Sequence, residues 1–165
     1  MIILGIDPGL AIVGWGVIEY HNAKFRTVAC GSIQTPAGMR TEERLRVIFE
    51  DMNALIEKYH PDAMAVEERF FNTNITTGIR VAEARGGILL AAERAGVPMQ
   101  EYTPLQVKQS VVGYGRADKK QVITMVTTLL GLPKPPKPDA TAAALAIAIC
   151  HAHSGCSRLA DYYNK

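Results

Sequence analysis

Cysteine is scarce in this chain. Cys30, Cys150 and Cys156 are three in 165 residues, an odd number in a long chain, which argues against a disulfide framework. Excess charge is lacking too. The formal net charge is +2 at pH 7, which permits a nucleic-acid partner without demanding one, so any basic stripe must come from clustering. No uncharged apolar run reaches the roughly 20 residues of a membrane span. The opening segment MIILGIDPG has no basic stretch ahead of its short apolar run, unlike a secretory leader. No internal repeat is found. These absences predict a cytoplasmic protein without a membrane partner.

What is present is an ordinary globular composition, 48% hydrophobic and 21% charged. The length predicts one domain, residues 1–165, with a sizeable core. The one biased segment is residues 131–138 (GLPKPPKP), whose prolines cannot continue a helix and read as a stiff connector. The residues beyond it are too few to fold alone. They should dock back onto the main body.

Stretches Ile2–Asp7, 12–20 and Lys24–Gln34 are rich in Ile, Val, Phe and Thr and are separated by Pro8-Gly9 and His21-Asn22, which predicts an antiparallel meander. Helical spacing follows at Leu45, Ile48, Phe49, Met52, Leu55, Ile56 and Tyr59, with Thr41 as the N-cap. Residues 62–67 read as a short buried strand, 79–95 as a helix and 97–102 as another strand. Thr103-Pro104 opens a helix to Val112. Asp118 caps another that ends at Gly131. A last helix runs from Asp139 to about His153. Strands first, then alternating helix and strand, predict an α/β fold: a mixed five-stranded sheet with helices on both faces, the order of a ribonuclease-H-like domain.

Asp7 closes an apolar strand, where a carboxylate is costly unless it is paired or binds a cation. Its blander role is to accept hydrogen bonds from the Pro8-Gly9 turn. Glu67 closes Ala63-Met64-Ala65-Val66 in the same way, and strand ends in such a sheet lie close together. Two converging carboxylates repel, and a divalent cation is the usual remedy. Glu68 should face the opposite way.

Gly5-Ile6-Asp7-Pro8-Gly9, the Ala65-Val66-Glu67 strand end, Gln106-Val107-Lys108-Gln109 with Val111-Val112-Gly113, and Leu145-Ala146-Ile147-Ala148-Ile149 occur in that order. Together they resemble the RuvC family of Holliday-junction resolvases over nearly the whole chain. The GIDPG turn alone is weak, since actin-like ATPases and sugar kinases share it. The resemblance implies a homodimer that resolves four-way DNA junctions by paired nicks in recombination and repair. It also implies two Mg²⁺ ions on four carboxylates, with Mn²⁺ as a substitute, and a branch-migration helicase partner. On this reading Asp7 bridges both ions and Glu67 holds one, so that an activated water attacks the phosphodiester in line.

The pattern then breaks. In the family the last helix opens with two aspartates three residues apart, and counting back from Leu145 these positions are Ala140 and Ala143. Their spacing puts both on one helical face. Counting forward from Leu132-Pro133 would instead select Asp139, but the helix sets the facing and proline-rich connectors tolerate insertions. Asp139 then reads as the N-cap. The expectation is impaired hydrolysis with fold and DNA binding retained.

Lys108, Arg116, Lys119 and Lys120 surround Gly113-Tyr114-Gly115, a glycine-rich turn suited to approaching phosphate or, more blandly, a solvated charged face. By resemblance, Lys108 and Lys119 lie near the scissile phosphate and offset its charge. Arg69 and Phe70 follow Glu67. Phe70 matches the family's aromatic that stacks on unpaired bases at the crossover, and Phe71 is expected to pack. Cys150, His151, His153 and Cys156 are spaced poorly for zinc. Ile79, Ala82, Gly86, Leu89 and Leu90 form an apolar face that is either core or, as the resemblance implies, a dimer contact. Two other functions compete: a non-catalytic, architectural junction binder, and an actin-like ATPase. The latter is disfavoured by the short chain and by the lack of a second phosphate-binding turn.

Overall fold

The structure is a computed structural model, and it describes residues 1–68 and 74–155. The β-branched N-terminal third forms three antiparallel strands, β1 (Ile2–Asp7), β2 (Ile12–His21) and β3 (Lys24–Gln34). The β2–β3 turn holds Asn22 and Ala23 at φ 50° and 60°, the left-handed pair of a two-residue hairpin. The turn therefore lies one residue later than expected, and β2 reaches His21.

Helix α1 (Thr41–Tyr59) is preceded by Arg40, whose side chain makes no capping bond. Thr41 is the first helical residue and not the expected cap. Arg40 pairs instead with Glu42 and Glu43, at 3.2 and 2.9 Å, acids that favour the positive end of the helix. Strand β4 (Ala63–Glu67) starts after Asp62, whose carboxylate accepts the Ile2 N–H at 2.7 Å. Helix α2 (Ile75–Arg94) begins four residues before the predicted start. Asn74 Oδ1 accepts from the Thr76 and Thr77 N–H groups at 3.1 and 3.4 Å and sets the cap there.

Strand β5 (Met99–Tyr102) begins two residues later than predicted, because the Val97 N–H is used to close α2 on the Ala92 carbonyl. Both α3 (Pro104–Val112) and α4 (Lys119–Leu129) open on capping boxes, Thr103 with Gln106 and Asp118 with Gln121. Helix α5 (Asp139–Gly155) completes the described chain.

The sheet order is β3-β2-β1-β4-β5, with β1–β4 and β4–β5 parallel. Alternation divides its side chains between two cores. Leu4, Ile6, Met64 and Val66 pack with Ile48, Met52 and Ile88 of α1 and α2. Ile3, Ile18 and Ala65 pack with Val107, Val126, Leu145 and Ile149 of α3, α4 and α5. Helices therefore cover both faces, as the sequence predicted. Helix α5, beyond the proline-rich connector, is buried from Ala144 through Cys150, which is why its sequence is apolar on every side. Among the described residues no helix is long and apolar enough to cross a membrane.

Candidate active site

Period-two alternation aims both strand-end carboxylates at one side of the sheet. Ile3 packs toward α5, so Gly5 and Asp7 face that way; Ala65 does the same, carrying Glu67 with it. The parallel register sets Ile6 beside Val66, so Asp7 and Glu67 close neighbouring strands at their carboxyl ends. In this sheet β2 and β3 extend to one side of β1 and β4 and β5 to the other, the reversal at which α/β folds open a crevice. Asp7 is 7% exposed, and Glu67 is half-buried.

Helix α5 is pressed onto this strand end. Gly14 pairs with Asp7 across β1 and β2. A Cβ on Gly14 would overlap the Ala140 carbonyl oxygen and stand 2.9 Å from the Ala140 Cβ. A Cβ on Gly5 would overlap the Ala144 carbonyl. Glycine at both positions lets the opening turns of α5 touch β1 and β2.

Above Asp7 lies a cavity of about 760 Å³ whose wall includes Glu67, Lys108, Lys119, Asp139, Ala140 and Ala143. Ala140 and Ala143 are half-buried toward it, while Ala142 and Ala144 are fully buried. The count from Leu145 therefore selects two positions that reach the crevice. Asp139 reaches it as well. Asp139 is the first residue of α5 and not the expected N-cap, and its carboxylate meets Lys119 Nζ at 3.3 Å and Lys137 Nζ at 3.8 Å.

Of the four predicted cations, Lys108 and Lys119 line the cavity, whereas Arg116 and Lys120 are exposed and do not. Arg69 and Phe70, like Phe71, lie outside the described residues. Sequence reasoning missed the apolar half of the wall, formed in part by Leu105, Val122 and Ile123. The signal available was Leu105, an apolar residue directly after Pro104 at a helix start, which the structure leaves 54% exposed. The Lys119–Asp139 pair was also missed, because nothing periodic links those positions.

Among the described residues no group of three or more His, Cys, Asp or Glu is placed to hold a metal ion. The histidines of the CHAHSGC segment diverge. His151 Nδ1 shares a hydrogen bond with the Tyr102 hydroxyl at 2.8 Å, and His153 Nδ1 shares one with Ser110 Oγ at 2.9 Å. Cys150 is buried, which pushes its thiol pKa up; Cys156 lies outside the described residues. On α2 the questioned apolar face is open: Ile79 and Leu90 are 54% and 53% exposed, Ala82 and Gly86 are exposed, and Leu89 is half-buried.

A mixed five-stranded sheet, helices on both faces and a strand-end acidic crevice define a ribonuclease-H-like domain. The family model described as crossover junction endodeoxyribonuclease RuvC matches residues 3–151. The chain belongs to that family. A crossover junction endodeoxyribonuclease RuvC of Clostridioides difficile (strain 630) is 56% identical over 154 residues, spanning 93% of this chain and 91% of that protein. The RuvC structure of Thermus thermophilus is 37% identical with a TM-score of 0.87, covering 94% of this chain and 95% of its own. The T. thermophilus RuvC in complex with Holliday junction substrate is 38% identical with the same TM-score of 0.87, covering 92% of this chain and 93% of that one. The ATPase reading of the GIDPG turn falls with this membership.

Proposed function

We propose that this chain binds four-way DNA junctions as a homodimer and has lost most of its capacity to cut them. The observation that carries the second part is the pair of methyl groups at Ala140 and Ala143, on the same crevice wall as Asp7 and Glu67. The first part rests on family membership and on a relative of this fold seen with Holliday junction substrate.

The two Mg²⁺ ions that the resemblance implies do not fit this donor set. Asp7 and Glu67 supply two carboxylates. The remaining acid on the wall, Asp139, is engaged by Lys119 and Lys137. Each missing charge near a cation is worth roughly several kcal/mol in a partly buried site, and each 1.36 kcal/mol is tenfold in rate. Nicking should therefore fall by about a thousandfold or more. What the residues still offer is recognition. Lys108 and Lys119 can donate to phosphate oxygens, and Phe70 is the expected stacking residue. The open apolar face of α2 is the surface on which two copies would pair, and a twofold pair suits a four-way substrate. A cytoplasmic location and a branch-migration helicase partner complete the reading and rest on the resemblance.

The test is to incubate a mobile synthetic four-way junction with Mg²⁺ or Mn²⁺ and either this chain or its Ala140→Asp plus Ala143→Asp version. The restored protein should cut, and this chain should bind without cutting. Equal, robust cleavage by both would overturn the claim of impairment. Binding without cleavage by both would favour the architectural reading.

A further inference from the structure

We propose that Arg44 and Thr35 are positioning residues for the crevice, joined in a relay of hydrogen bonds that fixes the turn carrying Asp7 from behind.

That turn joins Asp7 of β1 to Ile12 of β2, and it is tight: a Cβ on Gly9 would overlap the Ile12 carbonyl. Its far side is tied to the chain that leaves β3. The Thr35 N–H donates to the Ala11 carbonyl at 3.0 Å, and the Thr35 hydroxyl meets the Leu10 carbonyl at 2.5 Å. Arg44 of α1 places Nε 2.8 Å from the same hydroxyl oxygen and Nη2 3.2 Å from the Thr35 carbonyl. A guanidinium can only donate. The hydroxyl oxygen therefore accepts from Arg44 and gives its own proton to Leu10. Donation runs one way, from Arg44 through Thr35 to the turn, and the charged donor at its head strengthens the next bond.

Arg44 stands where a cation is unfavourable. It is 7% exposed, and among the described residues no carboxylate pairs with it. It also lies in the opening turn of α1, near the positive end of the helix. Replacing buried ionic groups with packed apolar side chains is often neutral or stabilising. Stability alone thus gives no reason for arginine here. A fixed turn does, because both of its bonds converge on Thr35, which in turn holds Leu10 and Ala11. Asp7, three residues before Leu10, is the crevice residue that this turn carries.

The experiment records ¹³C and ¹⁵N resonances of this chain with Thr35→Val, which removes the hydroxyl, and Thr35→Ser, which keeps it. In Thr35→Val the Leu10 carbonyl and Asp7 carboxyl resonances should move. The amide of residue 35 should exchange about tenfold faster while Ile3 and Ile6 keep their rates. Thr35→Ser should return the Asp7 resonance. An unmoved Asp7 resonance in Thr35→Val, no return in Thr35→Ser, or a rise in exchange shared equally by Ile3 and Ile6 would overturn the proposal. Arg44→Lys keeps the charge and loses the fork, so it should move the same Asp7 resonance; an unmoved one would remove Arg44 from the relay.

A second arm rests on the junction-cutting reading above. In the Ala140→Asp plus Ala143→Asp version, Thr35→Val should lower single-turnover nicking about tenfold and leave junction affinity within about twofold, the mark of misplacement at the reacting centre. An unchanged rate, or affinity falling in step with it, would contradict positioning. No nicking at all by the Ala140→Asp plus Ala143→Asp version would count against the proposed function, and the resonances would still decide the relay.

Discussion

A carboxylate that closes a buried strand, as Asp7 does at 7% exposure, needs compensation from its surroundings. Its neighbour Gly14 decides how closely α5 approaches it. Gly14→Ala should therefore cost roughly 1–3 kcal/mol, the price of overpacking against the Ala140 backbone. Chemical denaturation measures this, and an unchanged midpoint would contradict the close contact. Residues of this kind differ in how readily the sequence reveals them. Asp7 and Glu67 were legible because strand alternation and strand ends leave a pattern. The proposed role of Ala140 and Ala143 was legible only by resemblance, since an alanine carries no sign of a ligand it would replace. The tie from Asp139 to Lys119 left no trace, because it depends on where two separate helices start.

At the scale of elements, strong local signals located the helices, and caps corrected their ends. Asn74 started α2 before its apolar pattern did, whereas the capping box at Thr103 put α3 where the sequence predicted. Helix α5 illustrates the limit of periodicity: apolar on all sides, it shows burial without showing which side meets the sheet. Gly5, Gly14 and the carboxylate crevice supply that answer in three dimensions. Near its far end, burial lowers the pKa of His151 below its ordinary 6.5. The unfolded chain then takes up a proton that the folded chain resists, so stability is full above about pH 6.5 and declines as pH falls toward the folded-state value. Thermal melts from pH 8 to pH 5 should show this decline, and His151→Gln should flatten part of it. Identical slopes in both proteins would show that His151 does not contribute.

For the whole molecule, the proposed homodimer would use the open face of α2, because exposed apolar stripes are rare on monomers. The sequence left that face between core and contact; its exposure at Ile79 and Leu90 removes the core reading for those residues. Ile79→Glu plus Leu90→Glu should convert a dimer to a monomer in light scattering while leaving the circular dichroism spectrum intact; a wild-type mass unaffected by both charges would refute the contact. The fold was legible almost throughout, since a mixed sheet under helices follows from the order of its elements. The proposed loss of cleavage was read only through the resemblance, because it turns on two side chains, Ala140 and Ala143, that leave no pattern of their own. Single-turnover nicking of a four-way junction, at saturating protein and in Mg²⁺, isolates those two from binding. The account predicts a rate about a thousandfold or more below that of the Ala140→Asp plus Ala143→Asp version, and equal rates would contradict it.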